Sequence, residues 1–177
     1  MKWKWLLSLV VLVVLAGCGG GPKKDVSIFI LPSTGLPQNI TEKMETDLQA
    51  KVGESPTVAV HSSPIYNDEK LLVEIAAGDH SLVILPKKNF EAFARQGSFV
   101  SLDDLFKPED YPSGVVEAPV GDEKNPKMEK HLYGIPLGES KWLKDSGYKG
   151  EELYAFVHPR APQMDKAKQV LQVLASK

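Results

Sequence analysis

The chain of 177 residues has one cysteine, Cys18, so it has no pair for an internal disulfide and no set of thiolates for a zinc cluster. It also lacks an excess of either charge. With 21 basic and 23 acidic side chains the formal charge is −2, and the isoelectric point is near 6.1. That balance removes the basic footprint of a nucleic-acid binder. Long apolar runs are missing too. The greasiest stretch, Leu6 to Ala16, is interrupted by Ser8 and falls short of the roughly 20 residues that cross a bilayer. His61, His80, His131 and His158 stand alone, outside HxxxH or HExxH spacing. No GxSxG, P-loop or GxGxxG pattern occurs. No metal, cofactor or catalytic centre is therefore expected, and the chain reads as a non-enzyme. What remains is ordinary globular material, 42% hydrophobic and 25% charged, of a length that suits one domain.

The N-terminus reads as an address. Lys2 and Lys4 precede the apolar run, and small residues follow it, the layout of a secretory signal peptide over residues 1–17. Leu15-Ala16-Gly17-Cys18 resembles a bacterial lipobox. That resemblance implies cleavage between Gly17 and Cys18, a diacylglycerol on the Cys18 sulfur and an acylated, palmitate-type amine. Two or more acyl chains anchor a protein stably where one does not. The mature chain would begin at Cys18, and loss of Lys2 and Lys4 would take its formal charge from −2 to −4. Residues 18–24, rich in glycine, would form a flexible tether. The expected location is the extracytoplasmic side of the cell membrane, with the lipid bilayer as first partner.

Residues 25–177 read as one α/β domain. Asp25–Leu31, Thr57–Val60 and Ser81–Leu85 are apolar runs bounded by turn residues, the pattern of buried strands. Between them lie helical segments. Ile40, Met44, Leu48 and Val52 share one face, with Asn39 as expected N-cap. Asn67 or Asp68 starts a second helix that stops at Gly78. Asn89 is the expected cap of a third, which ends at Gly97. This βαβαβα order predicts a mostly parallel sheet under right-handed crossovers. Residues 107–131 hold four prolines and no clear period, so they read as irregular. Glu152–His158 reads as a further strand. Met164, Ala167, Val170, Leu171 and Leu174 mark an amphipathic C-terminal helix. The fold class expected is a three-layer α/β lobe with a mostly parallel central sheet of about five strands.

Four phrases carry a second resemblance. They are Glu74-Ile-Ala-Ala-Gly-Asp79, Gln96-Gly-Ser-Phe-Val-Ser-Leu-Asp-Asp-Leu105, Tyr133-Gly-Ile-Pro136 and Glu152-Leu-Tyr-Ala-Phe-Val-His-Pro159. In this order they resemble the first lobe of sugar-type solute-binding proteins of ABC importers. The resemblance implies a periplasmic-binding-protein lobe without catalysis, and a lipid anchor fits the same family. The chain departs from the pattern where a second lobe would be inserted. About fifteen residues stand between Tyr133-Gly-Ile-Pro136 and the returning strand. A clamshell that closes on its ligand is thus not expected from one copy.

In an open parallel sheet, ligands sit beyond the C-terminal strand ends. The loops there supply Ser33 and Thr34, Ser62 and Ser63, and Tyr66. Hydroxyls with an aromatic face suit a polar solute such as a polyol, and Trp142 is a further stacking candidate. The competing reading makes the hydroxyls turn residues and the two rings half-buried caps. Asp103-Asp104, Glu151-Glu152 and Lys87-Lys88 read as solvated charges. The expected function is binding of a small polar solute or an envelope protein, with a dimeric importer component or a sensor lipoprotein as alternatives. A hydrolase would need the fold to bring a hydroxyl to an imidazole.

Overall fold

The computed structural model describes residues 23–122 and 124–177. Gly17 and Cys18, and with them the signal and lipidation readings, lie outside the described residues. Among the described residues seven strands and five α-helices follow one another. They are β1 (Val26–Ile30), α1 (Gln38–Val52), β2 (Val58–Ser62), α2 (Asp68–Ala77), β3 (Leu82–Pro86), α3 (Lys87–Ala94), β4 (Val115–Val120), β5 (Lys127–Leu132), β6 (Ile135–Pro136), α4 (Lys141–Asp145), β7 (Leu153–Val157) and α5 (Met164–Ala175). Five strands form an open sheet in the order β2-β1-β3-β7-β6.

The period-2 alternation of each strand sorts its side chains to two faces. Val26, Ile28 and Ile30 of β1 join Met44 and Leu48 of α1 and Ala167, Val170, Leu171 and Leu174 of α5. The intervening Phe29 and Leu31 join Leu71 of α2, Phe90 and Ala94 of α3, and Phe99. Because the strands are covered on both faces, they read as continuous apolar runs.

The sheet is mixed, which corrects the expectation of a mostly parallel one. β1 runs parallel to β2 and β3, but β7 is antiparallel to both β3 and β6. A short helical crossover forces consecutive strands to be parallel. β7 instead returns after a long excursion, which leaves its direction free.

The segment read as irregular over residues 107–131 is also corrected. It contains two 3-10 turns, Pro108–Asp110 and Pro112–Gly114, then the antiparallel pair β4–β5. The alternation was visible in one strand only. Val116 and Ala118 face the core, while Lys127–Lys130 of β5 are all exposed. Pro119 argues against a central strand, yet it is tolerated in a two-stranded ribbon where an edge needs no donor. At the base of the ribbon a Cβ on Gly114 would collide with the Gly134 carbonyl, so only glycine lets the two backbones meet.

Helix starts differ in a consistent way. Pro37 and Pro86 occupy the N-cap positions expected of Asn39 and Asn89, with φ of −61° and −56° and extended ψ. The proline ring already fixes a φ that suits this position. Asn39 and Asn89 fall inside the first turns. Asn67 does cap α2, its side-chain oxygen accepting the Lys70 N–H at 2.8 Å, and Gly78 ends that helix in the left-handed region with φ 68°.

A charged cleft at the C-terminal ends of the strands

The chain leaves β1 through α1 on one face of the sheet and leaves β3 through α3 on the other. A crevice therefore opens between the loops after β1 and β3, where such sheets bind ligands. A broadly open cleft of about 870 Å³ lies there. Ser33 comes from the β1 loop, Lys87, Lys88, Asn89 and Glu91 come from α3, and Arg95 caps its C-terminal end. Glu151 and Glu152 stand just before β7. They reach the site because β7 is antiparallel to β3, which pairs Leu153 with Pro86.

Hydrogen bonds hold the walls. The Ser33 backbone N–H donates to Glu151 Oε1 at 2.8 Å. The hydroxyl of the buried Tyr154 donates to Glu152 Oε2 at 2.9 Å. Burial is the main cause that raises the Tyr154 pKa, so the phenol keeps this proton. On α3, Glu91 lies between Lys87 at 3.9 Å and Arg95 at 3.8 Å, one helical turn to either side. Both pairs are solvent-exposed and loose, and contribute little to stability.

Of the candidate site residues, Ser33 lines this cleft. Tyr66 stands behind it, accepting a hydrogen bond from Asn89 Nδ2 at 3.0 Å and donating to Asp68 Oδ1 at 2.5 Å. Burial and the Asp68 carboxylate both raise its pKa. Its polar end therefore positions the start of α3. Thr34 is exposed, and its hydroxyl turns to the Gly35 carbonyl at 3.4 Å. Ser62 belongs to a separate cavity of about 300 Å³ with Gln38, Thr41, Glu42 and His61. Ser63 is buried, and its carbonyl accepts the Leu36 N–H at 2.8 Å. Trp142 is corrected from a stacking candidate to a core residue. It is fully buried, and its Nε1 donates to the Met44 carbonyl at 2.9 Å.

The residues that sequence reasoning assigned to solvent, Lys87, Lys88, Glu151 and Glu152, are the ones the fold brings together. Their placement depends on the direction of β7, for which the local pattern holds no signal.

A hydroxyl and an imidazole also meet, at the other end of the sheet. Ser27 Oγ is 2.8 Å from His80 Nδ1, and His80 Nε2 is 2.9 Å from Glu74 Oε2. The His80 ring stacks on Phe29 with centroids 5.2 Å apart. Nearby, His158 Nε2 contacts the Ile75 carbonyl at 3.1 Å and Arg160 Nη2 donates to the Ala76 carbonyl at 2.5 Å. All of these contacts tie the C-terminal half of α2 to its surroundings. The helix has only Leu71 fully buried, so we assign the chain Ser27–His80–Glu74 a fastening role in place of missing apolar contacts.

Among the described residues no helix is long and apolar enough to cross a membrane, and no group of three or more His, Cys, Asp or Glu side chains is arranged to hold a metal ion. Comparison with protein families, with curated proteins and with solved structures finds no match to this chain. The class the fold defines is an α/β protein with an open, five-stranded mixed sheet between helical layers.

Proposed function

We propose that the protein is a lipid-anchored extracytoplasmic lipoprotein that binds, without catalysis, a small solute or a protein partner through a single solute-binding-protein-like lobe. The observation that carries this reading is the polar cleft at the switch point between β1 and β3. The order 2-1-3 of the three βαβ strands supports the kinship, while the antiparallel return of β7 departs from the mostly parallel sheet expected of such a lobe. Such kinship is an analogy of fold, and function still rests on the cleft.

The first described residues and the cleft lie at opposite ends of the sheet. Lys23, Lys24 and Asp25 sit with Asp79 and Gln163 by the N-terminal end of β1, whereas the cleft is beyond its C-terminal end. A lipid on Cys18 would therefore tether the domain from the end opposite the cleft. An open face buries less of a small ligand than a closed clamshell. Moderate affinity, or pairing of two lobes as in a dimeric importer component, follows from that geometry.

Two measurements test the proposal. Metabolic labelling with a palmitate analogue should mark the wild-type chain and leave Cys18→Ser unlabelled and unprocessed. Equal labelling of the two removes the anchor. The purified protein should gain thermal stability with at least one member of a polar-solute panel, because a ligand that binds only the native state raises its melting temperature. Flat melting curves, together with failure to crosslink any envelope protein, remove the binding role.

A further inference from the structure

We infer that the cleft takes a zwitterionic solute, an amino acid or short peptide with a free carboxylate and a free ammonium, in preference to a neutral polyol. This rests on the reading of the cleft as the binding site and names the class of ligand.

The charges are segregated within the cleft. The α3 side carries Lys87, Lys88 and Arg95 around the single acid Glu91, and the segment just before β7 carries Glu151 and Glu152. The α3 side is thus net positive by two charges, the β7 side net negative by two. Each side is built to keep part of its charge available. Glu91 cannot neutralise both cations that flank it, since its contacts to Lys87 and Arg95 are 3.9 and 3.8 Å long. Lys88 has no carboxylate within ion-pair distance among the described residues. The N-cap of α3 is Pro86, which offers no side-chain acceptor to the first-turn N–H groups, so these donors add to the positive wall. Just before β7, one oxygen of each acid is engaged, Glu151 Oε1 by the Ser33 N–H and Glu152 Oε2 by the Tyr154 hydroxyl. Those bonds fix the carboxylates and leave Glu151 Oε2 without a hydrogen-bond partner among the described residues, while Glu152 Oε1 lies against Gly138.

The cleft also lacks what a sugar needs. No aromatic ring is among its lining residues. The Tyr66 hydroxyl is committed to Asp68 and Asn89, and Trp142 is in the core. A dipolar ligand, with its carboxylate toward Lys88 and the start of α3 and its ammonium toward Glu151 and Glu152, satisfies both walls at once. Charge-assisted hydrogen bonds are about twice as strong as neutral ones. In so open a site they are also screened by salt over about 8 Å at physiological ionic strength.

The test uses the detergent-solubilised full chain and calorimetry at low and physiological salt. The probes are the common amino acids and dialanine, their N-acetyl and C-terminal amide derivatives, and glucose and maltose. The expected result is binding of a zwitterion that weakens at least tenfold on capping either end, and that weakens with added salt. Lys88→Gln and Glu151→Gln should each lower this affinity at least fivefold while melting of the unliganded protein stays within a few degrees of wild type. Binding of glucose or maltose without zwitterions overturns the ligand class and leaves the binding role intact. Equal affinity for capped and free forms, or full binding by Glu151→Gln, also overturns it. Absence of binding by every probe overturns the ligand class, and the binding role itself falls if no envelope protein crosslinks either.

Discussion

The Glu151 carboxylate accepts the Ser33 backbone N–H at 2.8 Å across 118 positions of sequence. This one bond ties the loop after β1 to the approach to β7, both of which line the cleft. It is exposed, and the net contribution of such a bond is about 0.5–1 kcal/mol. Glu151→Ala should therefore lower stability in urea denaturation by no more than about 1 kcal/mol. It should also loosen the Ser33 loop, read as faster amide exchange at Ser33 and Thr34. A loss of several kcal/mol would show that Glu151 supports the core.

Trp142 should behave in the opposite way. It is fully buried in a helix of only five residues, and its indole N–H reaches the Met44 carbonyl on α1. Trp142→Ala should cost about 3–5 kcal/mol through cavity formation and loss of packing. Trp142→Phe, which keeps most of the volume but leaves the Met44 carbonyl without this donor, should cost about 1–3 kcal/mol. Denaturant midpoints with unchanged slope would check both values. Little effect from Trp142→Ala would return this residue to the surface.

Acid should weaken the fold in a defined window. Burial is the main cause that lowers the pKa of His61 and of His158, with the neighbouring His80 acting the same way. His158 is further constrained, because its Nδ1 accepts the Arg160 N–H at 3.1 Å. That places its proton on Nε2, facing the Ile75 carbonyl. A histidine with a depressed folded pKa contributes stability above its unfolded value of about 6.5, lost as pH falls through the folded value. His131 has the opposite sign. Asp103 first, then Glu129, raise its pKa against a smaller opposing effect of burial, so its contribution is present at low pH and lost as pH rises. The melting temperature should fall below about pH 6.5 as His61 and His158 take up protons, with a separate decline above that value as His131 loses its own. His158→Gln should flatten that fall, and Asp103→Asn should steepen it. A fall unchanged in His158→Gln would assign it to other groups.

Helix α2 should open before α1 and α5. Its only fully buried residue is Leu71, whereas α5 buries Ala167, Val170, Leu171 and Leu174. Its polar fastenings, Glu74–His80–Ser27 and Arg160 to the Ala76 carbonyl, are partly open to water. Local openings concentrate where buried apolar contacts are few. Hydrogen exchange should show α2 less protected than α1, and Ser27→Ala or Arg160→Ala should speed exchange in α2 selectively. The fastening role also predicts that a serine-reactive fluorophosphonate leaves Ser27 unlabelled. Stoichiometric labelling there would turn the same chain into a nucleophilic site.

Some of this was legible from local pattern alone. Apolar runs closed by turn residues located the four long sheet strands to within two residues. The Asn67 cap and the Gly78 stop bounded α2 because both depend on a side chain or a φ that acts over three or four positions. Ser33 could be placed near the cleft because a βαβ order puts the loop after β1 at the ligand end of a sheet. Hairpin β4–β5 could not be read, since solvent surrounds one of its strands and removes the alternation.

By itself the chain determined most of its secondary elements and the helical crossovers of β1 to β3, which are properties of neighbouring residues. Only the tertiary structure decided that β7 returns antiparallel beside β3, that Trp142 is interior, and that Glu151, Glu152 and Lys88 line one cleft. The physical reason is separation along the chain. Turn chemistry and hydrophobic period act over a few residues, whereas the direction of a returning strand is settled by how its two apolar faces pack between distant helices.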